Sequence, residues 1–278
     1  MPFSFSVIRQ RFLKISAICL VALLCFPAQG WARKAETMLL PTRIVMDNGQ
    51  RFATLVIKNS GDASGEYTIS TVDMKMNEDG SIVEIPEGTT PDFPAAPLVH
   101  IAPRSITLPP GTSQTVRILL RKPEGLEPGE YRSHIRVRVV NDNVEDSEDS
   151  AKPENARIQV RANLVLVIPL IVRNGQTEFK AGITEAHVVP AADGGQALDF
   201  YITREGNRSV MGDVKVTQVQ NGAAVQVGEL AGVPVYRPTA RRLVHVPLSG
   251  LHGTSGLTVQ YRAQESEGSG VLAESQVR

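Results

Sequence analysis

Between Arg157 and Arg173 the chain reads RIQVRANLVLVIPLIVR, and every even position from Ile158 to Val172 is apolar. The odd positions begin polar at Arg157, Gln159, Arg161 and Asn163, then turn apolar at Val165, Val167 and Ile171. A period of two predicts a β-strand, because successive side chains project to opposite faces. At ~3.3 Å per residue this strand extends roughly 50 Å, against a usual length of about five or six residues. Its second half, apolar on both faces, is expected to be buried in its own domain. Its first half, apolar on one face, leaves a row to be covered by its own domain or by another protein.

Upstream, Met38 to Met46 reads as a strand ending at the turn Asp47-Asn48-Gly49. Ala53, Leu55 and Ile57 alternate with polar residues in a second strand. Tyr67 and Ile69 open a third, whose apolar phase shifts to Val72, Met74 and Met76, the mark of a β-bulge. Asp79-Gly80 predicts a hairpin turn into Ile82, Val83 and Ile85. The proline-rich residues 86–97 read as a loop, and Arg104 to Leu108 as a short strand. Val116, Ile118 and Leu120 alternate with Arg117, Leu119 and Arg121. Tyr131, Ile135, Val137 and Val139 alternate with Arg132, His134, Arg136 and Arg138, and that basic row reads as a solvated sheet face. About seven strands with turns every 8 to 12 residues predict an immunoglobulin-like β-sandwich without the disulfide of antibody domains.

Beyond Asn174-Gly175 eight shorter candidate strands follow: Phe179 to Val189, Leu198 to Thr203, Val210 to Val219, Ala224 to Val227, Val233 to Tyr236, Leu243 to Val246, Leu257 to Tyr261 and Val271 to Ala273. They read as a second β-sandwich. The expected fold class is therefore all-β, with sandwiches over 33–173 and 174–278.

Composition changes this picture at the N-terminus. Arg9, Arg11 and Lys14 precede the short apolar run Ile15 to Phe26, followed by a cleavage site after Gly30 or Ala32. That is a secretory signal peptide over residues 1–32, too short to span a membrane, so the localisation expected is the periplasm. Both cysteines, Cys19 and Cys25, lie within it, so the exported chain has no disulfide, thiolate metal site or cysteine nucleophile. Losing three basic residues leaves 26 against 29 acidic ones, a balance that disfavours a nucleic-acid partner. The acidic stretch Glu145 to Asp149 lacks the glycine and spacing of a calcium loop. The five histidines are scattered, with no HExxH pair, no GxSxG elbow and no glycine-rich phosphate loop. No catalytic residue, cofactor, metal or small-molecule substrate is expected.

PTRIVM, SITLPPGTSQTVRILLR, EYRSHIRVRV and IQVRANLVLVIPLIVR together resemble the periplasmic chaperones of the chaperone–usher pathway, in its divergent branch. The resemblance covers most of residues 38–175. It implies two immunoglobulin-like domains in an L or boomerang arrangement. It also implies a function: lending the last strand of the first domain to pilin-type subunits that lack one, then delivering them to an outer-membrane usher for pilus assembly. By this resemblance the donated side chains are Ile158, Val160, Ala162 and Leu164, on the even face that periodicity picks out. An arginine and a lysine of the family grip the subunit's C-terminal carboxylate. Arg43 matches the arginine, but Pro169 stands where the lysine should be, and Arg161 and Arg173 are the candidate substitutes.

Burying Ile158, Val160 and Leu164 is worth ~1.5–3 kcal/mol each, whereas association costs an estimated ~4–15 kcal/mol. Main-chain pairing, at ~0.5–1.5 kcal/mol per hydrogen bond, and an Arg43–carboxylate contact of about 1.5–3 kcal/mol must therefore contribute. The rival reading is a structural or adhesive immunoglobulin-like surface module that donates no strand. A self-capping homodimer through the same edge is a third.

Overall fold

The computed structural model describes residues 36–140, 164–192, 194–264 and 268–277. The signal segment, the acidic stretch 145–149, Ile158, Val160, Arg161 and Ala162 lie outside the described residues.

The strand expected from Met38 to Met46 is two strands, β1 (Thr37–Leu40) and β2 (Ile44–Met46). Pro41 separates them, and a proline gives no N–H to a ladder, so the chain changes sheets there. Next come β3 (Phe52–Asn59) and β4 (Gly65–Val72). The parity shift after Ile69 is not a bulge. The chain leaves the sheet at Asp73 and forms a separate hairpin of β5 (Met74–Met76) and β6 (Ile82–Glu84), turned at Gly80 with φ +83°. A single 3-10 turn, Ala96–Leu98, leads into β7 (Val99–Ala102), a strand that the proline-rich context concealed. Then follow β8 (Ser105–Leu108), β9 (Ser113–Leu120), β10 (Gly129–Val140) and β11 (Leu164–Asn174). Eleven strands stand where about seven were expected, because breaks at Pro41 and Asp73 divide longer runs.

Nine of these strands form two facing sheets, ordered β1-β3-β9-β7 and β2-β11-β10-β4-β8. Between them lies a core that includes Leu55, Ile57, Tyr67, Ile69, Val116, Ile118, Ile135, Val137 and Leu170. Alternation along each strand puts one face inward, which is why period two was so legible here. This is an immunoglobulin-like sandwich.

The second sandwich uses β12 (Phe179–Pro190), β13 (Gln196–Gly206), β14 (Val210–Gln220), β15 (Ala223–Val235), β16 (Arg241–Leu248), β17 (Leu257–Ala263) and β18 (Val271–Gln276). Seven strands replace the expected eight, because Ala224 to Val227 and Val233 to Val235 belong to one strand. That strand carries two register shifts against β14, and Gly228 and Gly232 lie inside it, so it reads as two segments in sequence. Its sheets are β12-β13-β16 and β15-β14-β17-β18, closed over Leu198, Phe200, Ile202, Val216, Val246 and Tyr261. Among the described residues no helix is long and apolar enough to cross a membrane.

Candidate functional site

Strand β11 pairs with β10 along its whole length, from Leu164 opposite Val139 to Asn174 opposite Gly129. Its other edge is covered only by the short parallel strand β2, at Leu170, Ile171 and Val172. From Leu164 to Pro169 that outer edge has no strand partner among the described residues. Leu164 is 39% exposed, Val165 42% and Val167 36%. The expectation that this half is buried on both faces is therefore corrected. Of its apolar residues only Ile168, Leu170, Ile171 and Val172 are buried, while Val165 and Val167 face solvent. The even face that ends at Leu164 is continuous with the core through Leu166, Ile168 and Leu170. Of the four expected donor residues, Leu164 alone falls among those described.

The sealed end of β11 reaches the joint between the two sandwiches. Ile171 packs with Met76 and Tyr236, flanked by Val45 and Ile82. Arg173 is buried, with Nε 3.3 Å from Glu130 Oε2 and Nη1 3.2 Å from Asp47 Oδ1. The buried Glu130 carboxylate also accepts from the Ser209 N–H at 3.2 Å, and the Glu130 carbonyl accepts from Arg237 Nη1 at 3.1 Å. The β5–β6 hairpin adds a second tie. Leu243 N donates to Glu78 O at 2.6 Å, Thr239 Oγ1 to Met76 O at 2.7 Å, and Arg241 meets Glu78 at 3.0 Å. Arg173 thus sits in a structural ion network between the sheets and the joint, where a buried charge needs its partners.

Beside this joint lies a cluster of arginines. Arg43, half-buried at the start of β2, donates from Nη1 to Met211 Sδ of the second sandwich at 2.7 Å. Arg132 projects from β10, with its guanidinium 4.6 Å from the centre of the Tyr236 ring and Nη2 donating to Met74 O at 3.0 Å. Its Nε and Nη1 are buried without a hydrogen-bond partner. Burial, with a smaller push from Glu130, raises the Tyr236 phenol, and the positive charges of Arg43, Arg132 and Arg242 pull it back. Burial, and secondarily Arg132, holds His134 down to about 3, so it is neutral at physiological pH.

The basic row of β10 is therefore not a uniform solvated face. Arg132 is 8% exposed and His134 3%, under the hairpin and the second sandwich, while Arg136 pairs with Glu84 at 2.5 Å and Arg138 remains exposed. Glu130, Arg132 and Tyr236 were not singled out from sequence. Arg132 looks the same as Arg136 and Arg138 in the alternation, and only the covering elements separate them.

No protein-family model and no curated protein matches this chain. It is similar in structure to the CupB2 chaperone of Pseudomonas aeruginosa, at 12% identity over 87% of this chain and 100% of that one, with a TM-score of 0.46. The E. coli chaperone DraB is 14% identical over 88% and 97%, at 0.47. The CsuC–CsuE chaperone–tip adhesion subunit complex, from the archaic chaperone–usher Csu pili of Acinetobacter baumannii, gives 11% over 88% and 100%, at 0.45. At these values the functional reading rests on this chain's own residues.

Proposed function

We propose that this protein is a periplasmic chaperone that captures pilin-type subunits by lending them β11 and hands them to an outer-membrane usher. The observation that carries this reading is the edge of β11 from Leu164 to Pro169, which has no strand partner among the described residues and ends beside Arg43. An open edge offers main-chain pairing, and alternate side chains give it specificity. Apolar side chains are exposed on both faces of that stretch, Leu164 on the even face and Val165 and Val167 on the odd one.

A subunit strand that pairs with this edge, parallel to β11 and in line with β2, stops end-on at the half-buried Arg43, whose guanidinium meets its carboxylate, with the buried positive charge of Arg132 behind it. Arg132 is thus the second cation in place of the lysine that Pro169 displaces. The candidate Arg173 already serves Glu130 and Asp47.

The test is recovery of the tagged full chain from periplasm with whatever it holds, followed by mass identification. A pilin-type subunit is expected. Arg43→Ala and Arg132→Ala are each expected to lower its yield about tenfold, the loss of one charged hydrogen-bonding group. Recovery of the chain alone, at full yield and folded, from cells that make such subunits would sink the proposal.

A further inference from the structure

The β5–β6 hairpin is an arm of the first sandwich that ends on the second. Its root is fixed to the first: Arg132 Nη2 donates to Met74 O at 3.0 Å, Arg136 pairs with Glu84 at 2.5 Å, and Met76 and Ile82 pack with Ile171. Its tip is closed on itself. Asn77 N donates to Ser81 O at 2.9 Å, Gly80 N to Asn77 O at 3.0 Å, and Ser81 N to Asp79 Oδ1 at 2.9 Å. This shaped tip then meets β16, where Glu78 O accepts from Leu243 N at 2.6 Å. Gly80 lies against the Arg242 guanidinium: a Cβ there would stand 2.9 Å from Arg242 Cζ and closer still to Nε. Arg242 is itself held, with Nη1 donating to Pro234 O at 2.9 Å. Gly80 also has φ +83°, a conformation that suits glycine.

We propose that this hairpin is a latch that fixes the angle between the two sandwiches, and that Gly80 is the residue that lets it close. The ties of Glu130, Arg43 and Arg132 meet the second sandwich at Asn207, Ser209, Met211, Tyr236 and Arg237. These residues gather at the linker, where Asn207 Nδ2 donates to Gln176 O at 3.2 Å and Arg237 N to Ser209 Oγ at 2.9 Å. The hairpin tip holds a different place. Leu243 stands opposite Tyr201 on β13, whereas Gly206 of the same strand stands opposite Phe179, where the linker enters. From Gly206 to Tyr201 is roughly 16 Å at ~3.3 Å per residue. Contacts beside a pivot leave rotation about it open, and a contact at that distance closes it. With the tip lifted, the second sandwich keeps its own core and its ties at the linker, and turns about them. The latch depends on the joint alone and not on what β11 captures.

The experiment compares two glycines in the full chain. Gly88 has the same φ of +83° as Gly80, but a Cβ on it meets nothing within 4 Å. Gly88→Ala therefore carries the backbone cost without the collision, and Gly80→Ala carries both. Amide hydrogen exchange reads the latch, and residual dipolar couplings of the two sandwiches read their relative orientation. In Gly80→Ala the Leu243 N–H is expected to exchange at least about tenfold faster than in Gly88→Ala, the loss of its acceptor. The amides of the buried residues Leu198, Phe200 and Ile202 should hold their rates, which shows that the second sandwich is intact. The couplings of the two sandwiches, which share one alignment tensor in the wild type and in Gly88→Ala, should cease to share one. Thr239→Val removes the hydroxyl that donates to Met76 O and acts from the second sandwich. It should shift both readouts in the same direction, and it decides the matter if Gly80→Ala unfolds the first sandwich. Equal Leu243 exchange in the two glycine variants overturns the latch. A shared tensor of wild-type orientation after Leu243 is freed overturns its control of the angle.

Discussion

The two ends of β11 carry the same kinds of residue in the same alternation and meet different fates. At Leu170, Ile171 and Val172 the strand is flanked by β10 and β2 and capped by Met76 and Tyr236 across the joint. At Leu164, Val165 and Val167 it keeps β10 alone among the described residues and stays exposed. Hydrophobicity does not distinguish the two ends. What differs is what crosses over them: a three-residue strand, a hairpin and the second sandwich all gather at one end. The same division runs along β10, where Arg132 and His134 are buried and Arg138 is not. A sealed end thus leads into an open end, and Arg43 and Arg132 lie where they meet.

That contrast can be broken most forcefully at the sealed end. Glu130→Ala leaves the Arg173 guanidinium buried beside a lost partner and is expected to cost about 3–5 kcal/mol in urea unfolding. Ile171→Ala, which opens a cavity at the joint, is expected to cost about 2–5 kcal/mol, while Val165→Ala at the open end should stay within about 0.5 kcal/mol. Equal costs at the two valine and isoleucine positions would mean that the upper half of β11 is covered after all.

His134 gives a pH test of the same burial. Its pKa is held at about 3, below the ordinary 6.5, by burial and by Arg132. The unfolded chain therefore takes up a proton below pH 6.5 that the folded chain refuses. Stability from this group is full above that pH and is lost as pH falls toward 3, at up to about 1.4 kcal/mol per pH unit. His134→Gln should flatten the decline between about pH 6 and about pH 5 in paired denaturation curves, and an unchanged slope would assign it to other groups. The smallest effect on the fold is expected at the open end. Leu164→Ser should move stability by less than about 0.5 kcal/mol yet, if β11 is lent as proposed, reduce subunit yield about tenfold.

Much of the fold was legible because one-sided burial writes a period of two into the chain. The long runs of β9, β10, β11 and β14 were readable for that reason. Where local breaks rerouted the chain, the reading failed. Pro41 split one expected strand between two sheets, and Asp73 sent Met74–Met76 into a hairpin that braces the joint. Arg43 was picked out through a motif resembling a family, and Pro169 because it stands where that family has a lysine. Arg132, Glu130 and Tyr236 carried no comparable signal.

The amino-acid order alone determined that the chain is all-β, that every even position from Ile158 to Val172 is apolar, and that residues 33–278 hold no cysteine to form a disulfide. Those properties depend on neighbours along the chain, so composition and spacing suffice. Which half of β11 is sealed and which arginine of β10 is buried were decided only by tertiary structure. Each depends on residues more than thirty positions distant, such as Asp47 against Arg173 or Met211 against Arg43, brought together when the two sandwiches close on their cores.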